Sequence, residues 1–306
     1  MARQNLVMIY GRVATAPRIV KQNETNEYVI AIARIETVRG KRSTHEGVVR
    51  RKNNDTLILI TREPEQCAEI ETWQENDVVL AKGMLASAET ARKSFCPYCK
   101  SKNVDGEETA TETITRGLDI YVNLIEGTKI KSFPDKESAM KDVMNCKELS
   151  NQLYITGSVR TKPKIFYTKK HTMITQYQLD ISRKFKVRLD DPGKREDMPW
   201  VKSYGEIAFE DNLRIIQAKT EVQIEGYIQA RNVKRTTKCP VCGKFHTFMD
   251  EVMEIVPYSV DYLREYKTDA MLEAEKQEDI ETIKQNIFDN IEQREEDDFS
   301  NDPAVL

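Results

Sequence analysis

The chain repeats itself, and no other feature of the sequence constrains its fold so tightly. The segment IYGRVATAPRI at 9–19 returns as ITGSVRTKPKI at 155–165. Gly11, Val13, Thr15, Pro17 and Ile19 recur as Gly157, Val159, Thr161, Pro163 and Ile165, each 146 residues on. Further along, NDVVLAKGML (76–85) matches KTEVQIEGYI (219–228), with Gly83 recurring as Gly226, 143 residues on. At that same offset Cys96 and Cys99 of SFCPYCK recur as Cys239 and Cys242 of TKCPVCG. Two segments and a cysteine pair repeated in one order mean two related domains in one chain. Each domain carries one Cys-Pro-x-Cys knuckle.

Both units read as mainly β. In the second, QLYITGSVRT, MITQYQLDIS, WVKSYGEIAF, EVQIEGYIQA and FMDEVMEIVP alternate as strands. EDNLRIIQAK has helical spacing through Leu213, Ile215 and Ile216. The first unit gives NLVMIYGRVAT, YVIAIARI and TLILIT, the helix EPEQCAEIETW, then DVVLAKGMLAS and GLDIYVNLI. Three strands, a short helix and two strands are the order of a five-stranded Greek-key barrel of the OB type. A glycine inside the first and fourth strands fits barrel corners or bulges. The knuckles then fall between strands four and five, on a hairpin that projects from each barrel. The expected organisation is one barrel at 1–130, a polar linker with a short helix at 131–150, and a second barrel at 151–260. An amphipathic helix follows at 261–293, with an apolar stripe of Ile280, Ile283, Ile287 and Ile291, and then an acidic tail at 294–306.

The net charge of −3 hides an asymmetry. Residues 267–306 hold 13 acidic and 4 basic side chains, a net of −9, which leaves 43 basic against 37 acidic, +6, for residues 1–266. A basic body points to an anionic partner. No apolar run approaches the roughly 20 residues that cross a bilayer, so no membrane partner is expected. MARQNLVMIYGRV reads as the start of a strand rather than a signal peptide, and a cytoplasmic protein is expected. Six cysteines there argue for a metal or free thiols rather than disulfides.

The ordered stretches NQLYITGSVRTKPKI, LDISRKF and WVKSYGEIAFEDNLRIIQAKTEVQIEGYIQAR make the second unit resemble the bacterial single-stranded DNA-binding protein family. The first unit is similar through NLVMIYGRVATAPRI and WQENDVVLAKGML. The resemblance implies OB folds that bind single strands without sequence preference, and an assembly of four OB folds, here a homodimer. It places a stacking aromatic at Phe185, matches Trp200 to the family's third-strand Trp, and matches Phe209 to the aromatic ending that strand. The family's fourth aromatic has no counterpart; Val233 stands near its place.

Single strands are held by cations for phosphates and aromatic faces for bases. SRKFKVR interleaves Phe185 with Arg183, Lys184, Lys186 and Arg188. Lys202 and Tyr204 follow Trp200, and Arg231, Lys234 and Arg235 flank Val233. The first unit has Glu36 opposite Phe185 and no aromatic opposite Trp200. It offers charge alone: Arg34, Arg39, Lys41, Arg42, Arg50, Arg51 and Lys52. Weaker binding or a scaffold role is expected of it.

A closed structural zinc site needs four ligands, usually from two knuckles. Cys96, Cys99, Cys239 and Cys242 supply one such set, within the chain or across a dimer. His246, four residues after Cys242, leaves a separate three-ligand site open, and reduced thiols without metal are the remaining reading.

No enzyme signature stands out. Zinc deaminases use H-x-E with P-C-x-x-C, whereas the order here is C-P-x-C. No phosphate-binding P-loop is present. An RNA-binding OB protein and a replication adaptor whose barrels bind proteins remain as alternatives. The family ends its acidic tail in an apolar tip that recruits replication and repair proteins. Here Phe299 to Leu306, ending Ala-Val-Leu, stands in that place without the family's Pro-Phe.

Overall fold

A computed structural model describes residues 4–40, 53–102, 108–169, 171–182, 196–215 and 218–264, together with 277, 280 and 281. The first half holds β1 (Asn5–Lys21), β2 (Tyr28–Val38), β3 (Asn54–Thr61), α1 (Pro64–Glu71), β4 (Val78–Lys102) and β5 (Glu108–Lys131). Two helices, α2 (Lys136–Asn145) and α3 (Lys147–Ser150), lead to the second half. There follow β6 (Asn151–Val159), β7 (Lys164–Tyr167), β8 (Met173–Ser182), β9 (Glu196–Asp197), β10 (Trp200–Tyr204), α4 (Gly205–Arg214), β11 (Glu221–Lys238) and β12 (Phe245–Arg264).

Strand pairing closes each half on itself. β1 pairs with β2, β2 with β3, β3 runs parallel to β5, β5 pairs with β4, and β4 returns to β1. The second ring is β6–β8–β10–β12–β11–β6, with β10 and β12 the parallel pair. One parallel contact between strands three and five, with a helix between strands three and four, defines the OB barrel, so the chain is a tandem of OB folds. Alternation does the packing. Along β3, Asp55, Leu57, Leu59 and Thr61 are buried while Asn54, Thr56, Ile58 and Ile60 stand half-exposed on the outer face. Beyond the rings, β4–β5 and β11–β12 run on as long two-stranded arms that carry the cysteines.

Gly83 and Gly226 occupy the same corner of each ring. The β4–β5 register shifts between Lys82 and Gly83, and the β11–β12 register between Glu225 and Gly226. A Cβ at Gly83 would meet the Asn123 carbonyl oxygen at 2.5 Å, and one at Gly226 that of Val256 at 2.4 Å. Only glycine lets the backbones approach this closely at a bulge. Just past each bulge an asparagine continues the ladder. The Asn5 amide bonds both backbone groups of Leu85 (3.0 and 2.9 Å), and Asn151 does the same to Ile228 (2.8 and 3.0 Å).

The two rings join through β1 and β6, which pair antiparallel from Asn5–Ile155 to Ile9–Asn151. At the centre Val7 faces Leu153, its own counterpart 146 residues on. The contact is therefore a two-fold one within a single chain. Two buried aspartates repeat that symmetry. Asp55 of the first barrel accepts the Ala230 N–H at 2.9 Å, and Asp197 of the second accepts the Ser87 N–H at 2.6 Å. Apolar residues of both barrels form one continuous core.

Two expectations need correction. The strand WVKSYGEIAF stops at Tyr204, and the helix begins at Gly205 and ends at Arg214 rather than spanning 210–219. Its buried face is Ala208 and Asp211 with the adjoining Ile215, while Leu213 is exposed. An aspartate at the centre of the buried stripe hid the helical period. Phe209 consequently lies on α4, not at a strand end. Between the barrels, Ala139, Met140 and Val143 of α2 bury against Tyr10, Val38 and Val78. Finally, residues 261–264 belong to β12, where Tyr258, Val260 and Tyr262 alternate with exposed Ser259 and Asp261. Of the expected helix, Gln277, Ile280 and Glu281 are helical, and most of the rest lies outside the described residues.

Candidate nucleic-acid interface

Directly paired residues of neighbouring strands point to the same side of a sheet. That rule writes out the outer face of the second barrel row by row. Trp200 pairs with Gln178, Lys202 with Gln176 and Tyr204 with Ile174. All three β10 residues are half-exposed, while Val201 and Ser203 between them are buried. This face of strands two and three, with the loops beside it, is where OB folds take oligonucleotides.

The start of the β11 arm forms one wall. Trp200, Gln176, Arg231, Val233, Lys234 and Arg235 line a groove of about 390 Å³, and Leu118 from the first barrel's arm closes its far side. The structure thus brings together Trp200, Arg231, Lys234 and Arg235 as the sequence expectation grouped them. Two of the cations already have carboxylates. Arg231 makes two bonds to Glu254, at 2.6 and 3.0 Å, and Arg235 pairs with Asp250. Lys202 lies 3.9 Å from Glu254, whose side chain is almost wholly covered. Burial lowers the Lys202 pKa, against the pull of Glu254. Burial, and then Glu254, push the Tyr204 hydroxyl up to about 12, so it stays neutral. Lys234 is exposed.

The remaining expectations fall elsewhere. Arg39 does not face the groove: it is bidentate to Asp55 at 2.6 and 2.7 Å, with its guanidinium 5.4 Å from the Tyr227 ring, between the barrels. Phe209 is exposed on α4. Arg34 is exposed on the outer face of the first barrel, opposite Ile58. Glu36 is buried in an ion pair with Arg12. Phe185, Arg183, Lys184, Lys186 and Arg188 lie outside the described residues, as do Lys41, Arg42, Arg50, Arg51, Lys52, Phe299 and Leu306.

The same rows in the first barrel carry different chemistry. Tyr177 pairs with Val201 as Ala33 pairs with Leu59, so Trp200 and Lys202 correspond to Ile58 and Ile60. At those two positions the first barrel is aliphatic where the second is aromatic and cationic. Sequence reasoning also passed over β7, whose four residues, among them Phe166 and Tyr167, are all exposed. The signal was legible: TKPKIFYTKKH interleaves rings with lysines as SRKFKVR does.

The cysteines gather at the arms. Cys96 Sγ lies 3.7 Å from Cys242 Sγ, and Cys99 Sγ 3.5 Å from Cys239 Sγ. All four sulfurs fall within 4.8 Å of one another, all from one chain. A tetrahedron of sulfurs about 2.3 Å from a central ion has edges of about 3.8 Å, so the cluster fits a metal ion. The backbone N–H groups of Cys242 and then Val241 hold the Cys239 thiol down, at about 6. The Thr111 hydroxyl lowers the Cys99 thiol, but burial and the other thiols outweigh it and push Cys99 up to about 12. A cation among them would favour all four thiolates. His246 is not part of the set: its ring is buried with Nε2 3.2 Å from Ser94 Oγ.

No protein-family model matches the chain, and no curated protein matches it. Among solved structures it is similar to the wild-type single-stranded DNA binding protein from Thermus aquaticus, with a TM-score of 0.49 and 11% identity, over 88% of this chain and 97% of that one. A deletion mutant of the same protein gives a TM-score of 0.49 and 10% identity, over 87% and 98%. No helix among the described residues is long and apolar enough to cross a membrane.

Proposed function

We propose that this chain binds single-stranded DNA without sequence preference, through its second barrel, and serves DNA replication, repair, recombination or the transfer of plasmid or phage DNA. The observation that carries this reading is the β8–β10 face, which sets Trp200, Lys202 and Tyr204 beside a wall bearing Arg231, Lys234 and Arg235. Rings there stack bases of any identity, and cations follow the phosphates. The carboxylates of Glu254 and Asp250 hold two of the cations in place and weaken their hold on phosphate, which suits a protein that must release its strand. Phe185 and the cations Arg183, Lys184, Lys186 and Arg188 are further stacking and phosphate contacts in this reading. The first barrel is a scaffold in this reading, since Ile58 and Ile60 stand where the second has Trp200 and Lys202.

The four cysteines hold a structural zinc ion, with no open position for chemistry. It ties the arms, and hence the wall of the groove, to both barrels. The protein is a binding protein rather than an enzyme. A homodimer of four barrels and recruitment of replication and repair proteins by Phe299 to Leu306 follow from the family resemblance.

Titration of the intrinsic tryptophan fluorescence with oligo-dT, an RNA of equal length and duplex DNA, at two salt concentrations, tests the reading. Trp73 is buried and donates to Glu69, so quenching reports Trp200. Salt-sensitive quenching by oligo-dT over duplex is expected. Tighter binding of RNA moves the function to RNA, and equal binding of duplex overturns it.

A further inference from the structure

The β7 edge strand carries the outer face one strand beyond β8. Lys164 pairs with Gln176 and Phe166 with Ile174. Those two β8 residues pair on their other side with Lys202 and Tyr204. Two continuous rows therefore cross three strands: Lys164–Gln176–Lys202 and Phe166–Ile174–Tyr204. Each row holds a cation or a ring at both ends. Phe166 is 46% exposed, so its ring is not filling a core. Tyr167 alternates to the opposite side of the ribbon, where it pairs with Met173.

The first barrel has the same edge, with Arg18 in the place of Lys164, but not the Phe166 ring. There the last turn of β1 stands in for β7: Arg18 pairs with Ile32 and Val20 with Ile30. Val20 is the counterpart of Phe166, and Lys21, the counterpart of Tyr167, is tied to Glu71 at 2.8 and 3.0 Å. The exposed ring is thus confined to the barrel whose outer face is already aromatic and cationic.

We propose that Phe166 is a stacking platform for a base of a bound single strand, and Lys164 a phosphate contact beside it, so that the nucleic-acid track runs from the Trp200 groove across β8 onto β7. The assignment rests on the single-strand-binding reading above. The ring supplies a π-face without sequence preference, and a charge one residue pair away lies within reach of the adjoining phosphate. Tyr167, on the far side of the ribbon, stays off the track.

The test is oligo-dT titration of the full chain and its variants Phe166→Ala, Phe166→Leu, Tyr167→Ala and Lys164→Gln over several salt concentrations. Loss of one stacked base weakens binding about 5- to 150-fold. Phe166→Ala and Phe166→Leu should both show such a loss with an unchanged salt slope, the second having kept apolar bulk without a ring. Lys164→Gln should lower the slope of log affinity against log salt by about 0.7. Tyr167→Ala should bind as wild type does. Wild-type affinity in both Phe166 variants, with oligo-dT still bound, overturns the platform and leaves the wider reading standing. An equal loss in Tyr167→Ala also overturns it, because a general disturbance of the hairpin then explains both. If the unaltered chain binds no oligo-dT, the wider reading fails and takes the platform with it.

Discussion

Asp55 and Asp197 reach across the seam in opposite directions, and each closes a buried backbone N–H of the other barrel. Neither looks special in the sequence, where Asp55 precedes the apolar run TLILIT and Asp197 follows Glu196 in a charged stretch. Asp55 also holds Arg39, whose side chain is 8% exposed. Removing one partner of a buried ion pair strands the other, which costs about 3–5 kcal/mol. Asp55→Ala should lose that much in urea denaturation, and a loss below about 1 kcal/mol would show that the seam does not depend on it. Asp211 makes the opposite kind of prediction. Burial raises its carboxyl to about 6, although Ser203 and Tyr262 donate to it and pull the other way. The folded state holds this proton more firmly than the unfolded state. Its contribution to stability is therefore fullest below about pH 4 and is lost as pH rises through about 6. The stability of the wild type relative to Asp211→Asn should fall by about 2–3 kcal/mol between pH 4 and pH 7. A flat difference across that range would contradict the buried carboxyl.

At the scale of elements, Gly226 bounds what β11 can do. A methyl group there would sit 2.4 Å from a backbone oxygen, so Gly226→Ala must push β11 and β12 apart. We expect a loss of about 1–3 kcal/mol in thermal or urea unfolding, and the same for its counterpart Gly83→Ala; tolerance of either would mean that the bulge is not needed. Much of this layer was legible. The 146- and 143-residue offsets placed strands one and four of both barrels, because glycines at bulges and apolar alternation leave strong marks. The helix α4 was not placed correctly, because its buried face centres on Asp211 rather than on an apolar residue. β12 was cut short because Tyr258, Val260 and Tyr262 alternate too briefly against the helical pattern that follows. In the candidate site, Trp200 and the β11 cations could be grouped from sequence, whereas Arg39 could not be told from its surface neighbours. Its burial depends on Asp55 and Tyr227, which only the folded chain brings near.

Residues 4–264 are a two-fold pair of barrels made from one chain, with the symmetry kept in the seam and broken on the outer faces. Val7 meets Leu153, the aspartates exchange N–H groups, and Cys96 meets Cys242 as Cys99 meets Cys239. Duplication explains why each half carries half of the four-cysteine cluster. The chain should hold one zinc ion, measured by metal analysis of the purified protein, and Cys99→Ser with Cys239→Ser should abolish it; a metal-free wild type purified without chelator would contradict the zinc. On the outer faces the halves have diverged, Ile58 standing where Trp200 stands. Binding should therefore be carried by one barrel. The most direct test compares oligo-dT affinity in Trp200→Ala and Ile58→Ala by fluorescence anisotropy of a labelled strand. The account predicts a loss of about 5- to 150-fold for Trp200→Ala and none for Ile58→Ala. Equal losses, or a loss confined to Ile58→Ala, would contradict it.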